Sequence, residues 1–221
     1  MNDNARQIKA IVDRGLAPLL KQAGFRKNST HFSRRNGEAL QLINVQSSQC
    51  NNASLARFTL NVGVHFASVA EMLYGNDPMP SPPREMFCLL RTRVGMILPA
   101  GADHWWIVTP DTNVESVAGE LSSAWNDYIS QWLEKNKTIA GAAPELEKGM
   151  LVHPLATAAA RLVLGEREKA AQSVNAVLER FGTALQDSHP ANTELIATRI
   201  KEFREWAANH RLAEPEEVTQ I

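Results

Sequence analysis

The clearest pattern in the chain is an alternation of apolar and polar residues over residues 57–66. The apolar positions are Phe58, Leu60, Val62, Val64 and Phe66. A period of two predicts a β-strand with one buried face and one polar face. The polar face of this strand carries Arg57, Asn61 and His65. A shift of one residue would expose all five apolar side chains, so the register of this strand is strongly specified.

Further strand patterns occur over residues 30–35, 39–47, 88–98 and 104–108, of which 88–98 repeats the clear alternation and the others are weaker. The first two flank Asn36-Gly37, a dipeptide typical of a two-residue hairpin turn. In the third, Arg91 and Arg93 lie opposite an apolar face. Four prolines between residues 75 and 83 predict a loop there. The pattern therefore predicts a mostly antiparallel sheet of four or five strands.

Apolar residues spaced three and four apart predict a helix on each side of this region. The first covers about residues 8–23, and Pro18 should kink it or divide it in two. The second covers about residues 112–136, where Thr112 and Glu115 match a capping box. Each helix has a single apolar stripe, so we expect both to cover the apolar face of the sheet, with the polar face open or forming a shallow groove.

The helical period continues to the end of the chain. The predicted class is α+β: a sheet flanked by two helices over residues 1–136, a linker over 137–144, a three-helix segment over 145–212 and a polar tail over 213–221. The helical segment starts with a hairpin that turns at Gly165 and resembles one tetratricopeptide unit. A lone hairpin cannot bury its apolar face, so we expect these helices to pack on each other and on the first domain.

Composition narrows the class of protein. Among 221 residues, 23 are Lys or Arg and 24 are Asp or Glu, which excludes a globally basic nucleic-acid binder. The chain has no apolar run typical of a membrane span or a signal peptide. Cys50 and Cys88 form neither a disulfide framework nor a zinc cluster. We therefore expect a soluble cytoplasmic protein with no metal, cofactor or membrane partner.

The net charge of −1 conceals an uneven distribution. Residues 21–57 contain six basic residues and one acidic residue, whereas residues 58–136 contain four basic and nine acidic residues. The basic excess therefore lies in the first strands of the predicted sheet.

The polar sheet face is the candidate binding site. If the strands are neighbours, this face carries Arg57, Asn61, His65, Arg91 and Arg93. Guanidinium groups suit carboxylates and phosphates, so the face could bind an anionic small molecule or an acidic protein partner. The alternative is a solvated face whose arginines pair with carboxylates such as Glu71 or Glu85.

Trp105 and Trp106 would point to opposite faces of a strand. One should enter the core, and the other could serve as a stacking platform beside the arginines. The alternative is that the second tryptophan only covers the edge of the core. In the same way, His65 is either a ligand contact or a half-exposed strand histidine.

The order of these features resembles a known family. Residues 16–27 end a helix with Gly-Phe and basic residues, and strands containing Phe32, residues 43–47 and residues 58–64 follow, before the Arg-x-Arg strand and the Trp-Trp pair. Over about residues 5–136 the chain resembles an uncharacterised bacterial family known only as a domain of unknown function. The resemblance implies an α+β domain of a cytosolic bacterial protein and supplies no catalytic residues.

Three functions are compatible with the sequence. The leading hypothesis is a binding or adaptor module that uses the basic sheet face, because no familiar catalytic motif occurs. The second is an enzyme acting on a phosphorylated or nucleotide substrate, with His65 or His104 as general acid/base beside Asp103. The third is oligomerisation through the C-terminal helices. Nucleic acid is a less favoured ligand than a small anion or an acidic protein.

Overall fold

The computed structural model describes residues 3–148 and 153–212. Within these ranges the chain forms one antiparallel sheet with the strands β1 (Arg26–Asn28), β2 (His31–Asn36), β3 (Ala39–Ser47), β4 (Ala56–His65), β5 (Leu90–Arg93) and β6 (Trp106–Val108). The strand order is β1-β2-β3-β4-β5, and β6 also pairs with β4. The predicted α+β class and antiparallel sheet are confirmed. The sheet has six strands because residues 26–28, which are all polar, add a strand that no apolar alternation could reveal.

The described helices are α1 (Asp3–Gly15), α2 (Ala17–Gln22), α3 (Ala67–Tyr74), α4 (Val94–Ile97), α5 (Val114–Ala124), α6 (Ser130–Lys135), α7 (Ile139–Lys148), α8 (Ala156–Val163), α9 (Arg167–Gln186) and α10 (Pro190–Asn209). A π-helix, Trp125–Ile129, joins α5 to α6, and a single 3₁₀ turn covers Glu85–Phe87. No helix in the described ranges is both long enough and apolar enough to cross a bilayer.

The apolar face of the sheet is buried. All five apolar residues predicted in the β4 alternation are buried, which confirms their register. Helix α1 packs closely on α5, because a Cβ added at Gly15 would lie 2.2 Å from the carbonyl oxygen of Ala118. On the same face, the buried Gln41 donates a hydrogen bond to the carbonyl oxygen of Leu133 in α6. Both predicted flanking helices therefore contribute to this layer.

Two local predictions were wrong. The third strand pattern ends at Arg93, because Val94–Ile97 form a helical turn in which the N–H of Leu98 donates to the carbonyl oxygen of Val94. The N-cap of α5 is Asn113 and not Thr112. The Asn113 side chain accepts from two backbone N–H groups of the first turn, and a Ser-, Thr- or Asn-rich segment offers several residues able to do this.

Contacts divide the chain into two compact units, the first formed by Met1–Ala67 and Asp77–Leu151 and the second by Ser68–Asn76 and Val152–Ile221. Residues 137–144, predicted as a linker, mostly belong to helix α7 in the first unit. The physical reason is that alanine is a good helix former, and Ile139, Ala142 and Ala143 are buried. The predicted tail, 213–221, lies outside the described residues.

The second unit has a core of its own. It is formed by Leu155, Ala158, Val174, Val177, Phe203 and Ala207. Leu73 of α3 packs against this cluster, and the indole N–H of Trp206 donates to the carbonyl oxygen of Met72 at 3.2 Å. Helices α8 and α9 are joined at Gly165, whose φ of +77° favours glycine, as the predicted hairpin requires. Helix α3, which lies between β4 and β5 in the sequence, therefore contributes to the core of the C-terminal helices.

Candidate functional site

The register of β4 and β5 brings four of the predicted site residues onto one sheet face. Asn61 lies opposite Arg93, and Gly63 lies opposite Arg91. Directly opposed residues of antiparallel strands point to the same face. His65 is two residues beyond Gly63, so it shares that face. The sequence-based placement of these side chains agrees with the structure.

Both arginines of β5 have carboxylate partners from their own chain. The Nε of Arg91 donates to Oε1 of Glu85 at 2.8 Å, and the Glu85 side chain is buried. The Nη1 of Arg93 donates to both carboxylate oxygens of Asp103 at 2.9 and 3.0 Å. Hydrogen bonds from Arg93 and from the indole of Trp105 lower the pKa of Asp103 below its ordinary value. These arginines therefore form the ion pairs that the alternative interpretation expects.

The segment that carries Glu85 also covers part of the polar face. A Cβ added at Gly63 would lie 2.6 Å from the Sγ of Cys88, so the chain packs directly on the glycine. Burial raises the pKa of the Cys88 thiol, and nearby Glu85 raises it further. The expectation that the polar face is open or forms a shallow groove is therefore wrong around Gly63. A side chain at this position would leave no room for the segment that covers the face.

Asn61 and Arg57 differ in their surroundings. The Nδ2 of Asn61 donates to Oε1 of Gln46 at 2.8 Å and to Oδ1 of Asn44 at 3.3 Å. Arg57 is exposed, lies opposite Ile107, and forms no ion pair within the described chain. Four residues of extended strand separate Arg57 from Asn61, which is roughly 13 Å. The structure therefore does not gather all three predicted arginines into one patch.

Trp105 and Trp106 point to opposite sides, as the sequence predicts. Trp106 is buried and stacks on Phe58 with ring centroids 5.3 Å apart. Trp105 is partly exposed, and the guanidinium carbon of Arg93 lies 5.2 Å from its ring centroid. His104, the other histidine considered as an acid/base, packs edge-on against Trp106 at 4.6 Å. The ring of Trp105, which was expected to stack on a ligand, is therefore already in contact with the guanidinium group of Arg93.

His65 lines a cavity of about 350 Å³ at the other end of the polar face. The cavity is lined by Arg35, Glu38, Leu40, His65, Ala67, Asp77, Met79, Pro80, Ser81 and Pro83. Across the sheet, His65 lies opposite Leu40, and Leu40 lies opposite Arg35. The proline-rich loop forms the remaining wall. This cavity collects one arginine, one histidine and two carboxylates.

His65 and Asp77 form a hydrogen-bonded pair in this cavity. Nε2 of His65 and Oδ1 of Asp77 are 2.8 Å apart, and His65 is only 2% exposed. Because a carboxylate only accepts, Nε2 carries the hydrogen and donates it. Nδ1 of His65 is buried and has no hydrogen-bond partner among the described residues. Asp77 also accepts from the N–H of Met79 at 2.9 Å. The pair therefore fixes the Asp77 carboxylate at the cavity wall.

A second cavity, of about 400 Å³, adjoins the first. It is lined by Gly24, Arg26, Ser33, Arg34, Arg35 and Leu40, and no described carboxylate lines it. Arg34 is anchored by hydrogen bonds to Gln41 Oε1 at 2.8 Å and to the carbonyl oxygen of Ala23 at 2.7 Å. Burial lowers the pKa of Arg34. Arg26 and Arg35 form no ion pair within residues 3–148 and 153–212.

The sequence pattern singles out His65 but none of the other residues that line these two cavities. Its signal was the excess of basic residues over residues 21–57, which includes Arg26, Arg34 and Arg35. No sequence pattern predicts a role for Asp77, because its proximity to His65 depends on the path of the proline-rich loop. Across the described ranges, no three His, Cys, Asp or Glu side chains lie close enough together to hold a metal ion.

A comparison with protein-family models identifies a family that covers much of the chain. The family model described as "Domain of unknown function (DUF4304)" matches residues 16–135. This range includes all six strands and the residues that line both cavities. No curated protein and no solved structure matches the chain.

Proposed function

The chain belongs to the DUF4304 family, whose model matches more than half of its 221 residues, and we propose that it is a binding module for an anionic ligand. The ligand binds on the basic sheet face at the β2–β3 hairpin, and Arg35 is the central residue of the site.

The cavity lined by Arg26, Arg34 and Arg35 is the observation that carries this proposal. Arg26 and Arg35 lie on the polar face, whereas Arg34 points to the opposite face, where Gln41 holds it. An anion in this space relieves the repulsion between the Arg26 and Arg35 guanidinium groups with charge-assisted hydrogen bonds. Arg34 is held in place by Gln41 and Ala23, whereas Arg26 and Arg35 have no carboxylate partner in the described chain. The volume of about 400 Å³ suits a small molecule, which favours a small anion over an acidic protein surface.

The arginines of β5 are less suited to this role. A ligand at Arg91 or Arg93 would have to compete with Glu85 or Asp103, both already hydrogen-bonded. Each carboxylate would then lose its own partner, which offsets the energy gained from the ligand. The sheet face identified from the sequence is retained, but the proposed centre of the site lies on β2 at Arg35 and not on β4 and β5.

The enzymatic alternative has less support. A general acid/base needs a nitrogen within reach of the substrate, but Nε2 of His65 is bonded to Asp77 and Nδ1 is buried. The ring of His104 packs edge-on against the buried Trp106, and both oxygens of Asp103 already accept from Arg93. These features favour a positioning role for His65 over proton transfer to a substrate.

The test is thermal unfolding of the full chain with phosphate, nucleotides and small carboxylates, at low and high salt. An anion present at about 100 times its Kd should stabilise the protein by about 2.7 kcal/mol. The gain should shrink as salt rises, because exposed charges are screened over about 8 Å at physiological ionic strength.

Arg35→Gln and Arg57→Gln are a matched pair of variants. Both arginines are exposed, lie on the same sheet face and lack an ion pair in the described chain, but only Arg35 lines the cavities. We expect Arg35→Gln to lose the anion-dependent gain and Arg57→Gln to retain it. The proposal is wrong if no anion stabilises the wild type, or if Arg35→Gln responds as the wild type does.

A further inference from the structure

Building on the proposed function, we propose that the anion site extends into the neighbouring cavity, where Asp77 and Glu38 bind a protonated amine. The ligand is therefore a zwitterion, with a phosphate or carboxylate at one end and an ammonium group at the other.

The two cavities share part of their walls. Arg35 and Leu40 line both of them. Arg35, Leu40 and His65 lie opposite one another on three consecutive strands. Neighbouring strands are about 4.8 Å apart, so the backbones of Arg35 and His65 are separated by roughly 10 Å. An arginine side chain is long enough to cover part of this distance, so a compact ligand can contact both ends.

Asp77 presents a fixed carboxylate with one available oxygen. Its Oδ1 accepts hydrogen bonds from Nε2 of His65 and from the N–H of Met79. Within the described chain, no residue donates to Oδ2, and about 30% of the Asp77 side chain is exposed. A carboxylate that is held through one oxygen can accept a charge-assisted hydrogen bond from a ligand through the other.

His65 is a positioning residue in this arrangement. It is buried, and its hydrogen on Nε2 points at Asp77, so the ring orients the carboxylate without contacting the ligand. The unpartnered Nδ1 fits this tautomer, because an N–H there would lack an acceptor in the interior.

The charges of the second cavity select against a simple anion. Its lining contains one cation, Arg35, and two carboxylates, Glu38 and Asp77. Glu38 is anchored on α7, since Oε2 accepts from the N–H of Ile139 at 2.9 Å. A ligand that carried only negative charge would be repelled by the two carboxylates at this end, whereas an ammonium group would be attracted by both. The first cavity, which has no carboxylate in its described lining, takes the anionic end.

The test compares O-phosphoethanolamine with ethyl phosphate by isothermal titration calorimetry. The two probes differ in the ammonium group alone. We expect the wild type to bind O-phosphoethanolamine at least about tenfold more tightly, which is the effect of one hydrogen bond between charged groups. Asp77→Asn should abolish this preference and leave the affinity for ethyl phosphate unchanged or higher. Arg35→Gln should weaken the binding of both probes.

Glu38→Gln serves as a second variant, because Asp77→Asn also alters the bond to His65. It should reduce the preference for O-phosphoethanolamine, and thermal melts establish that each variant is folded. Equal binding of the two probes by the wild type overturns this inference and leaves the anion site intact. Failure of both probes to bind also overturns it, and the anion panel described above then decides the proposed function separately.

Discussion

Asp103 illustrates how single residues determine the charge of the polar sheet face. Its carboxylate accepts hydrogen bonds from Arg93 and from the indole of Trp105. Both contacts favour the ionised form, so the pKa of Asp103 lies below its ordinary value of 3.8. The consequence is that this end of the face is close to neutral, although the sequence suggests a cluster of arginines.

The first prediction concerns this ion pair. In Arg93→Gln the pKa of Asp103 should rise towards 3.8, because the largest cause of its depression is removed. A lowered carboxyl pKa stabilises the fold above the unfolded-state pKa, and this contribution is lost as the pH falls through the folded-state pKa. Carbon-detected NMR titration between pH 2 and pH 6 measures the shift. Trp105→Phe should have a smaller effect, and an unchanged pKa in Arg93→Gln would contradict the assignment.

The second prediction concerns Gln41, which is buried on the apolar sheet face. Its Nε2 donates to the carbonyl oxygen of Leu133, and its Oε1 accepts from Nε of Arg34. Gln41→Leu would leave the buried carbonyl oxygen of Leu133 without this donor, so we expect a loss of about 1–3 kcal/mol there and a smaller loss at the partly buried Arg34. Gln49→Leu, at an exposed position, is the control. Urea unfolding measures both, and equal stabilities of the two variants would contradict this role of Gln41.

At the scale of the elements, β4 is the strand best predicted from sequence. Its alternation has a single register that buries all five apolar residues, so local pattern and tertiary packing agree. Strand β1 could not be predicted, because Arg26, Lys27 and Asn28 are all exposed and owe their strand conformation to pairing with β2. Helix α7 could not be distinguished from a linker, since its alanines become buried only through contacts distant in sequence.

The third prediction tests the cap of α5. Asn113 accepts from the N–H groups of Glu115 and Ser116 at 3.0 and 3.1 Å. Asn113→Ala removes this acceptor and should destabilise the protein by roughly 0.5–2 kcal/mol, whereas Asn113→Ser should retain most of the stability. Denaturant unfolding with an unchanged m-value checks this. A loss in Asn113→Ser as large as that in Asn113→Ala would contradict the assignment of Asn113 as the cap.

At the scale of the molecule, the chain forms two units, and the candidate site belongs to the first. Arg35 reaches the site through the register of the β2–β3 hairpin, in which Asn36 pairs with Ala39 and Gly37-Glu38 form the loop, one residue later than the Asn36-Gly37 turn predicted from sequence. Asp77 reaches it only because Ser68–Asn76 leave the first unit and the chain then returns, which no short-range pattern encodes. The basic segment of the site could therefore be predicted from the sequence, whereas the position of Asp77 at its acidic end could not.

The fourth prediction concerns the core of the second unit. Phe203 is buried and meets Phe181 edge-on at 5.0 Å, whereas Leu195, on the same helix α10, is 62% exposed. Phe203→Ala should therefore cost about 3–5 kcal/mol, and Leu195→Ala should cost little. Circular dichroism melts of the two variants measure the difference. Similar losses of stability in the two variants would contradict this difference in burial.

The most direct measurement of the central claim is an NMR titration of the full chain with inorganic phosphate, observed at the Nε resonances of its arginines. The account predicts that Arg35 and Arg26 shift in a saturable manner at low salt, whereas Arg57 and the ion-paired Arg93 do not. Saturable shifts at Arg91 and Arg93 with none at Arg35 would contradict it, as would the absence of any saturable shift.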